Sequence, residues 1–380
     1  MKKYLIALGF IVKGTAKKWS VAFPYWREVE ADGLSDIAEE VARMYGYHLI
    51  EGKLPEGILP NELPNQQFTH EHDLKNALCG AGYTELYTYS FVSRQDVSRA
   101  GLDPDHDALA LRNPLSVEMT DMRPWLGISM LKAVAQNEKE REVLRLFELS
   151  AEYHPRGGEL PDERQKLIVA SAGKQGKNGK EFYDIKGIAE YLARILSIPS
   201  FRFEKINAPS KAPWVGRYHP SRVLLCKSGP ATTGASGASS DILGVVGEVH
   251  PSLLRAYGIE NRVAFLEWEM KAILPLIGMG RIYQAPSPYP KVLRDIAFLV
   301  SKDVEYAVIE KAMRSVDPLI VTVELFDQYE GKGVPEGLLS LAFHISYASS
   351  ERTLKGEEAD KAHLKLSHML KERFDAKVRD

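Results

Sequence analysis

The clearest hydrophobic pattern lies in the last quarter of the chain. Ile296-Ala297-Phe298-Leu299-Val300 is a continuous apolar run of the length of a buried strand. Beyond it Val304, Val308, Ile309, Met313 and Val316 recur near helical spacing, and Ile320 to Phe326 predicts a second strand. Leu339, Leu341, Phe343, Ile345 and Tyr347 alternate with Ser340, Ala342, His344 and Ser346, the period of a half-buried strand. Gly331, Gly333, Pro335 and Gly337 turn the chain between those two strands. Ala359, Ala362, Leu366, Met369, Leu370 and Arg373 mark a long helix, and Ala376-Lys377-Val378-Arg379 a short closing strand. The order βαββαβ is that of a ferredoxin-like sandwich.

Upstream the pattern is mixed. Helical spacing appears near 70–82, 126–138 and 183–196, and apolar strands near 144–152, 166–172, 221–226, 242–248 and 262–269. Separate helices around a mostly antiparallel sheet make the fold class α+β. The helix near 126–138 has more apolar positions than one face needs, which fits either a buried core helix or a partner-facing one. Two proline-spaced segments, 51–64 and 284–290, should run extended as linkers. They give three expected domains, 1–60, 61–285 and 286–380. The Gly/Ser-rich stretch 227–240, lying between two apolar runs, is expected to be an expanded hairpin loop.

Composition narrows the class. Net charge is −2 with 26% charged residues, so bulk electrostatics give no argument for a nucleic-acid partner. Residues 286–380 carry 14 Lys+Arg against 16 Asp+Glu, so RNA binding there would need local placement or base stacking. Cys79 and Cys226 are too few for a disulfide framework or a cysteine-rich zinc site, which fits a reducing, cytoplasmic setting. The start, Met1 to Lys13, has an apolar run interrupted by Gly9 and no small-residue cleavage site, and is expected to be core helix plus strand. No run approaches the length of a membrane span.

The stretch Ser35-Asp36-Ile37-Ala38-Glu39-Glu40-Val41-Ala42-Arg43-Met44-Tyr45 places three acids close together if it is helical. Asp36 with Glu39 fits a capping box, and acids in a first turn suit the helix dipole. Glu39 is also spaced to pair with Arg43. Ile37, Val41, Met44 and Tyr45 would form the buried face and the acids would project outward, as a plain cap or as a cation site.

Self-sufficient catalytic motifs are absent. Gly173 to Lys180 has the wrong spacing for a phosphate loop, and Glu181 follows where Ser or Thr is needed; it is expected to be a solvated turn. No H-E-x-x-H or G-x-S-x-G occurs, and the histidines are scattered. Arg145 and Glu148 are expected to form an ordinary cross-strand pair.

Three groups of residues together resemble one family, the β subunit of bacterial phenylalanyl-tRNA synthetase. Phe23-Pro-Tyr-Trp-Arg27 followed by Asp36 to Tyr47 is similar to the end of its small DNA-binding-like domain. Asn113-Pro-Leu-Ser116, Met122-Arg123, Leu144-Arg-Leu-Phe-Glu148 and Gly247-Glu-Val-His-Pro251 resemble its synthetase-like core. Arg294-Asp295, Glu324 to Asp327, Gly331 to Gly337 and Glu351-Arg-Thr-Leu354 resemble its ferredoxin-fold anticodon-binding domain. The resemblance covers nearly the whole chain. β chains of this family run about twice as long and carry further tRNA-binding and editing modules, so a truncated or split β chain is expected. Pro124-Trp125 stands where small or hydroxylated residues are usual.

The resemblance implies a β-type subunit, non-catalytic alone, whose core is an inactive copy scaffolding an α subunit in an (αβ)2 assembly. It implies ATP and phenylalanine bound by α, and Mg2+ shared with α through Glu30, Asp36, Glu39 and Glu40. In place of the usual Asp the first position holds Glu30, with Asp32 close by. It further implies binding of tRNA(Phe), with Arg294, Lys332, Arg352 and Lys355 as candidate contacts, and neither DNA nor a membrane as partner. The competing reading is a free-standing RNA-binding or amino-acid-sensing regulator without α.

Overall fold

The computed structural model describes the chain except residues 16, 28–32, 55–56, 58–64, 159, 174–178, 207–215, 230–241, 280–282, 284, 286 and 380. Most of the first linker, part of the second, the core of the Gly173–Lys180 turn and Glu30 with Asp32 therefore lie outside the described residues. By internal contacts the chain divides into two units, Met1–Asp73 and Leu74–Asp380.

The first unit holds α1 (Lys2–Ala7), β1 (Ile11–Thr15), β2 (Lys18–Ala22) and α2 (Leu34–Tyr45). β1 and β2 form an antiparallel hairpin with Lys13 opposite Ser20 and Thr15 opposite Lys18. Alternation puts those four residues on one face and Val12, Trp19 and Val21 on the other. Leu5 and Phe10 are buried, and the Phe10 ring meets that of Phe23 at 5.2 Å. The apolar side of α2 is not covered as its pattern predicts. Met44 and Tyr45 are 38% and 50% exposed. Ile37, Val41 and Tyr45 line an open groove of about 1010 Å³ together with Tyr4, Trp19, Val21 and Phe23.

α3 (Gln66–Gly80) spans the division between the units, and Leu74 and Leu78 of its second half are buried in the second unit. Next come β3 (Thr84–Glu85), β4 (Phe91–Val92), α4 (Arg94–Arg99), β5 (Leu109–Ala110), β6 (Asp121–Met122) and α5 (Leu126–Asn137). The long strands follow: β7 (Val143–His154), β8 (Asp162–Gly173), α6 (Lys180–Ile195), β9 (Arg202–Lys205), β10 (Tyr218–Lys227), β11 (Ile242–Val249), α7 (Pro251–Ala256), β12 (Arg262–Glu269) and α8 (Met270–Ile273). Seven strands form one sheet in the order β3-β7-β8-β12-β11-β10-β9, antiparallel but for the β3–β7 pair. β10 and β11 are antiparallel neighbours, as the hairpin reading requires, although most of their loop is outside the described residues.

Alternation along these strands decides where the helices go. Leu146, Ile168, Ala170, Val263 and Phe265 share one core with α5. Their sequence neighbours Phe147, Leu167, Val169, Ala264 and Leu266 share the other with α6. A central strand buried on both faces reads as a continuous apolar run, which is why β8 and β12 stand out in the sequence. In α5 the residues Leu126 to Leu131 and Val134 are buried within this chain, so of the two readings of that helix the core helix is the one observed.

The C-terminal segment holds β13 (Val292–Ser301), α9 (Tyr306–Ser315), β14 (Ile320–Tyr329), β15 (Leu338–Tyr347), α10 (Gly356–Phe374) and β16 (Lys377–Arg379). Its antiparallel sheet runs β14-β15-β13-β16, the expected βαββαβ sandwich. Phe298 and Phe343 stack at 5.6 Å in its core, with Ile309, Met313, Leu366 and Leu370 from the two helices. Among the described residues no helix is long and apolar enough to cross a membrane.

Phe343 has no exposure and touches both sheet and helix residues of this core. Phe343→Ala should destabilise it by about 3–5 kcal/mol through lost burial and a residual cavity; denaturant unfolding of the full chain, followed at a probe in this segment, measures the loss.

Candidate functional site

The acidic helix differs from its sequence expectation in four respects. Its N-cap is Gly33, at φ +96°, with no side-chain cap, so the Asp36–Glu39 capping box does not form. The helix begins before Asp36, and only Asp36 of the three acids falls in its first turn. Glu40, expected to project outward, is 4% exposed. Arg27 reaches one of its oxygens and Arg43 Nη2 donates to the other at 2.6 Å. Arg43 thus pairs three residues back with Glu40, not with Glu39. The Arg43 bond, then that of Arg27, holds the Glu40 carboxyl below its ordinary value against the opposing effect of burial.

This geometry bears on the implied Mg2+. Magnesium needs oxygens with open lone pairs in near-octahedral geometry. Each oxygen of Glu40 accepts from one guanidinium, so a metal would have to compete with Arg27 and Arg43 for it. Asp36 is half-buried and Glu39 exposed on the same helix, and Glu30 lies outside the described residues. Among the described residues no group of three His, Cys, Asp or Glu side chains is placed to hold a metal.

The candidate RNA contacts divide into two places. Arg294, Arg352 and Lys355 gather where α10 begins. Arg294 Nε donates to Asp360 at 2.9 Å. Arg352 grips Glu358 with both terminal nitrogens, at 2.8 and 2.6 Å. Glu358 also accepts from the Lys355 backbone N–H at 3.0 Å, capping the helix. Arg352, with that backbone bond, holds the Glu358 carboxyl down at about 2. Lys332 lies in the β14–β15 turn, at the opposite end of the sheet from Arg294, and forms no ion pair among the described residues.

The outer sheet face also carries a group that sequence reasoning missed. Glu324 and Asp295 flank His344 across the strands, and His344 Nδ1 lies 2.7 Å from Asp295. The half-exposed Phe326 ring stacks on the His344 ring at 4.0 Å and 14°. The alternation of β15 already put His344 on the polar face. Phe326 escaped notice because the register shifts between Leu325 and Asp327.

A second missed group sits at the centre of the core. Arg123 has no exposure, and its Nη1 donates to Thr88 Oγ1 at 2.7 Å and to Ser129 at 3.1 Å, with Glu148 at 3.4 Å. Nη2 donates to Ser150 at 2.9 Å and to the Ala151 carbonyl at 3.1 Å. Thr88 in turn donates to Glu148 at 2.7 Å. The expected Arg145–Glu148 pair does not form. Arg145 lies opposite Ser171 and points to solvent, because residues three apart on a strand face opposite ways. Beside this network Trp125 lies 1% exposed, its indole N–H donating to Glu267 at 3.0 Å, with the Arg217 guanidinium 4.5 Å above its ring. Its rings fill space that a Cβ at Gly127 would enter at 2.2 Å. Tyr218 also bonds Glu267. Burial, then the charge of Glu152, pushes the Glu267 carboxyl above its usual range.

Gly247-Glu-Val-His-Pro251 has a structural account. A Cβ at Gly247 would meet the Tyr218 ring at 2.6 Å, and Glu248 accepts from Arg222 at 2.9 Å. His250 caps α7 by accepting the Ser252 N–H at 3.2 Å, and Pro251 occupies the first turn.

A two-sided antiparallel core with a buried arginine and a tryptophan laid over its sheet, followed by a ferredoxin-like sandwich, defines the architecture. Three family models match in the same order: the tRNA synthetase B5 domain over residues 1–47, the phenylalanyl tRNA synthetase beta chain CLM domain over 50–270, and the ferredoxin-fold anticodon binding domain over 287–379. The chain belongs to the phenylalanyl-tRNA synthetase β chain family. It is 32% identical to the phenylalanine–tRNA ligase β subunit of Syntrophotalea carbinolica, over 100% of this chain and 47% of that one. With the β subunit from Syntrophus aciditrophicus it shares 29% identity over 97% of this chain and 45% of the relative. The chain thus spans about half the length of the curated relatives it matches. A solved pyrrolysyl tRNA synthetase from Desulfitobacterium hafniense overlays 55% of this chain and 65% of its own, at 14% identity and a TM-score of 0.42, too slight a likeness to carry weight.

Two outcomes follow for the core. Arg123→Met leaves Glu148 buried without its cation and should cost about 3–5 kcal/mol in chemical denaturation. Glu267 is raised in the folded protein, so its contribution is intact below the ordinary carboxylate pKa and is lost as pH rises through the folded value. Glu267→Gln should therefore gain thermal stability relative to the parent as pH is raised from about 4.5 to neutrality, read from melting curves across that range.

Proposed function

We propose that this chain acts as a β-type subunit of phenylalanine–tRNA ligase, non-catalytic alone, scaffolding a catalytic α subunit and binding tRNA(Phe). What carries the reading is the run of three β-chain family models, in order, along one chain. The filled core supports it. Arg123 and Glu148 are closed into a buried network and Trp125 is buried beside them, so neither of those two charges is turned toward a nucleotide. ATP and phenylalanine would then be held by α, in an (αβ)2 assembly in the cytoplasm. The ferredoxin-like segment would meet the anticodon stem-loop through Lys332 at one end and Arg294, Arg352 and Lys355 at the other. The Phe326–His344 stack between them offers a flat surface to an unpaired base. No observation favours the free-standing regulator.

Mg2+ shared with α would fall to Asp36, Glu39 and Glu30, while Glu40 holds α2 to the Arg27 turn. In the αβ complex, Glu39→Gln should reduce the thermal stabilisation that Mg2+ confers. Glu40→Gln should lower the melting temperature equally with Mg2+ or with EDTA.

Co-expression with the α subunit tests the main proposal. The two chains should co-purify, and tRNA(Phe) aminoacylation should require both, with no ATP–pyrophosphate exchange by this chain alone. A chain that elutes as a monomer beside α and leaves aminoacylation unchanged overturns it.

A further inference from the structure

The ferredoxin-like segment is tied to the core by little. Lys205 Nζ lies 2.6 Å from Glu305 Oε1. Among the described residues no other hydrogen bond, ion pair or ring contact joins a residue before position 286 to one after it. The apolar clusters on the two sides share no residue either, one closing around Phe147, Phe182 and Trp268 and the other around Phe298 and Phe343. The stretch between them, 284–290, is proline-spaced in sequence, the composition of a semi-rigid spacer. Segments of one chain that lack a large apolar interface move relative to each other by default. The two charged residues have no other partner in their own elements. Lys205 ends β9, the edge strand of the seven-stranded sheet, while its neighbour Glu204 pairs with Lys227 at 2.7 Å. Glu305 is the N-cap residue of α9, yet its side chain caps nothing and meets Lys205 instead. The side chains are 66% and 47% exposed, so water and salt reach the pair.

We propose that Lys205 and Glu305 form a salt-sensitive latch that holds the ferredoxin-like segment against the edge of the core, and that the segment swings on its linker when the pair opens. The inference does not depend on the functional reading above. Its consequence is positional, because Arg294, Lys332, Arg352 and Lys355 all lie on the moving segment and the latch sets where they are presented. One exposed ion pair shifts an equilibrium only a few-fold. The docked and swung positions are therefore both populated, and a competing charge is enough to exchange them.

The test is single-molecule energy transfer in the full chain, between dyes on Lys139→Cys in the core and Lys371→Cys on α10, both exposed positions. Cys79→Ser removes the exposed thiol, and Cys226 is buried with its thiol pushed up to about 12, so it stays unlabelled. From about 0.01 M to about 1 M salt, where the screening length falls from about 30 Å to about 3 Å, a second transfer state should grow at the expense of the first. At low salt Lys205→Gln should lower the docked-to-swung ratio about two- to fivefold, and Lys205→Glu should lower it further. Adding Glu305→Lys to Lys205→Glu should bring the ratio back to within about twofold of the parent. Glu204→Gln removes the neighbouring pair with Lys227, which does not cross to the ferredoxin-like segment, and should leave the ratio unchanged. Both latch side chains are exposed, so circular dichroism melting of each variant should match the parent. A single transfer state that neither salt nor Lys205→Glu moves overturns the proposal. An equal response to Glu204→Gln, or a charge swap that fails to restore the parent ratio, overturns it as well.

Discussion

A guanidinium with no access to water sits at the centre of the core, and the arrangement around it follows from the need to satisfy it. Leaving a buried charge without partners is prohibitive, so Arg123 draws in Thr88, Ser129, Glu148, Ser150 and the Ala151 carbonyl. These partners come from the segment before β4, from α5 and from β7, so one side chain ties three stretches of chain to one geometry. Thr88 matters in both directions, since its hydroxyl accepts from Arg123 and donates to Glu148. The arginine Nε is buried without a partner among the described residues, which marks the network as near its limit of satisfaction.

That constraint has a chemical consequence. A charged group that catalyses must turn toward its substrate, and a group fully enclosed by its own chain cannot. Trp125 extends the same logic, because its ring, its indole N–H and the Arg217 cation above it complete a closed surface at the start of α5. Both faces of the sheet are filled by the chain's own side chains, with α5 against one and α6 against the other.

Topology was largely legible in the sequence. Period-2 alternation in β15, helical spacing in α10 and continuous apolar runs in β8 and β12 each report which faces are buried, and burial is what those patterns encode. The polar contacts were less legible. Glu148 could be seen to lie on a strand, but nothing local says its partner is Arg123, twenty-five residues earlier and across a helix. Arg145 was the nearer cation in sequence and the wrong one, since strand geometry turns it away. The start of α2 misled for a related reason. Asp36 and Glu39 match a capping box, yet Gly33 at positive φ lets the helix begin earlier, and the motif is carried one turn inside.

Glu40 shows how the two levels join. No cap requires it, and its neighbours in sequence do not explain it, but the Phe23-Pro-Tyr-Trp-Arg27 turn ends in the arginine that closes over it. A carboxylate held by two guanidiniums is a fixed strut, with its lone pairs turned inward and its position set by both ends. Asp36 and Glu39 gain from that fixity, because a helix pinned at Glu40 presents them in one orientation. The acid that looks most like a ligand by motif is therefore the one that gives the outer acids their place.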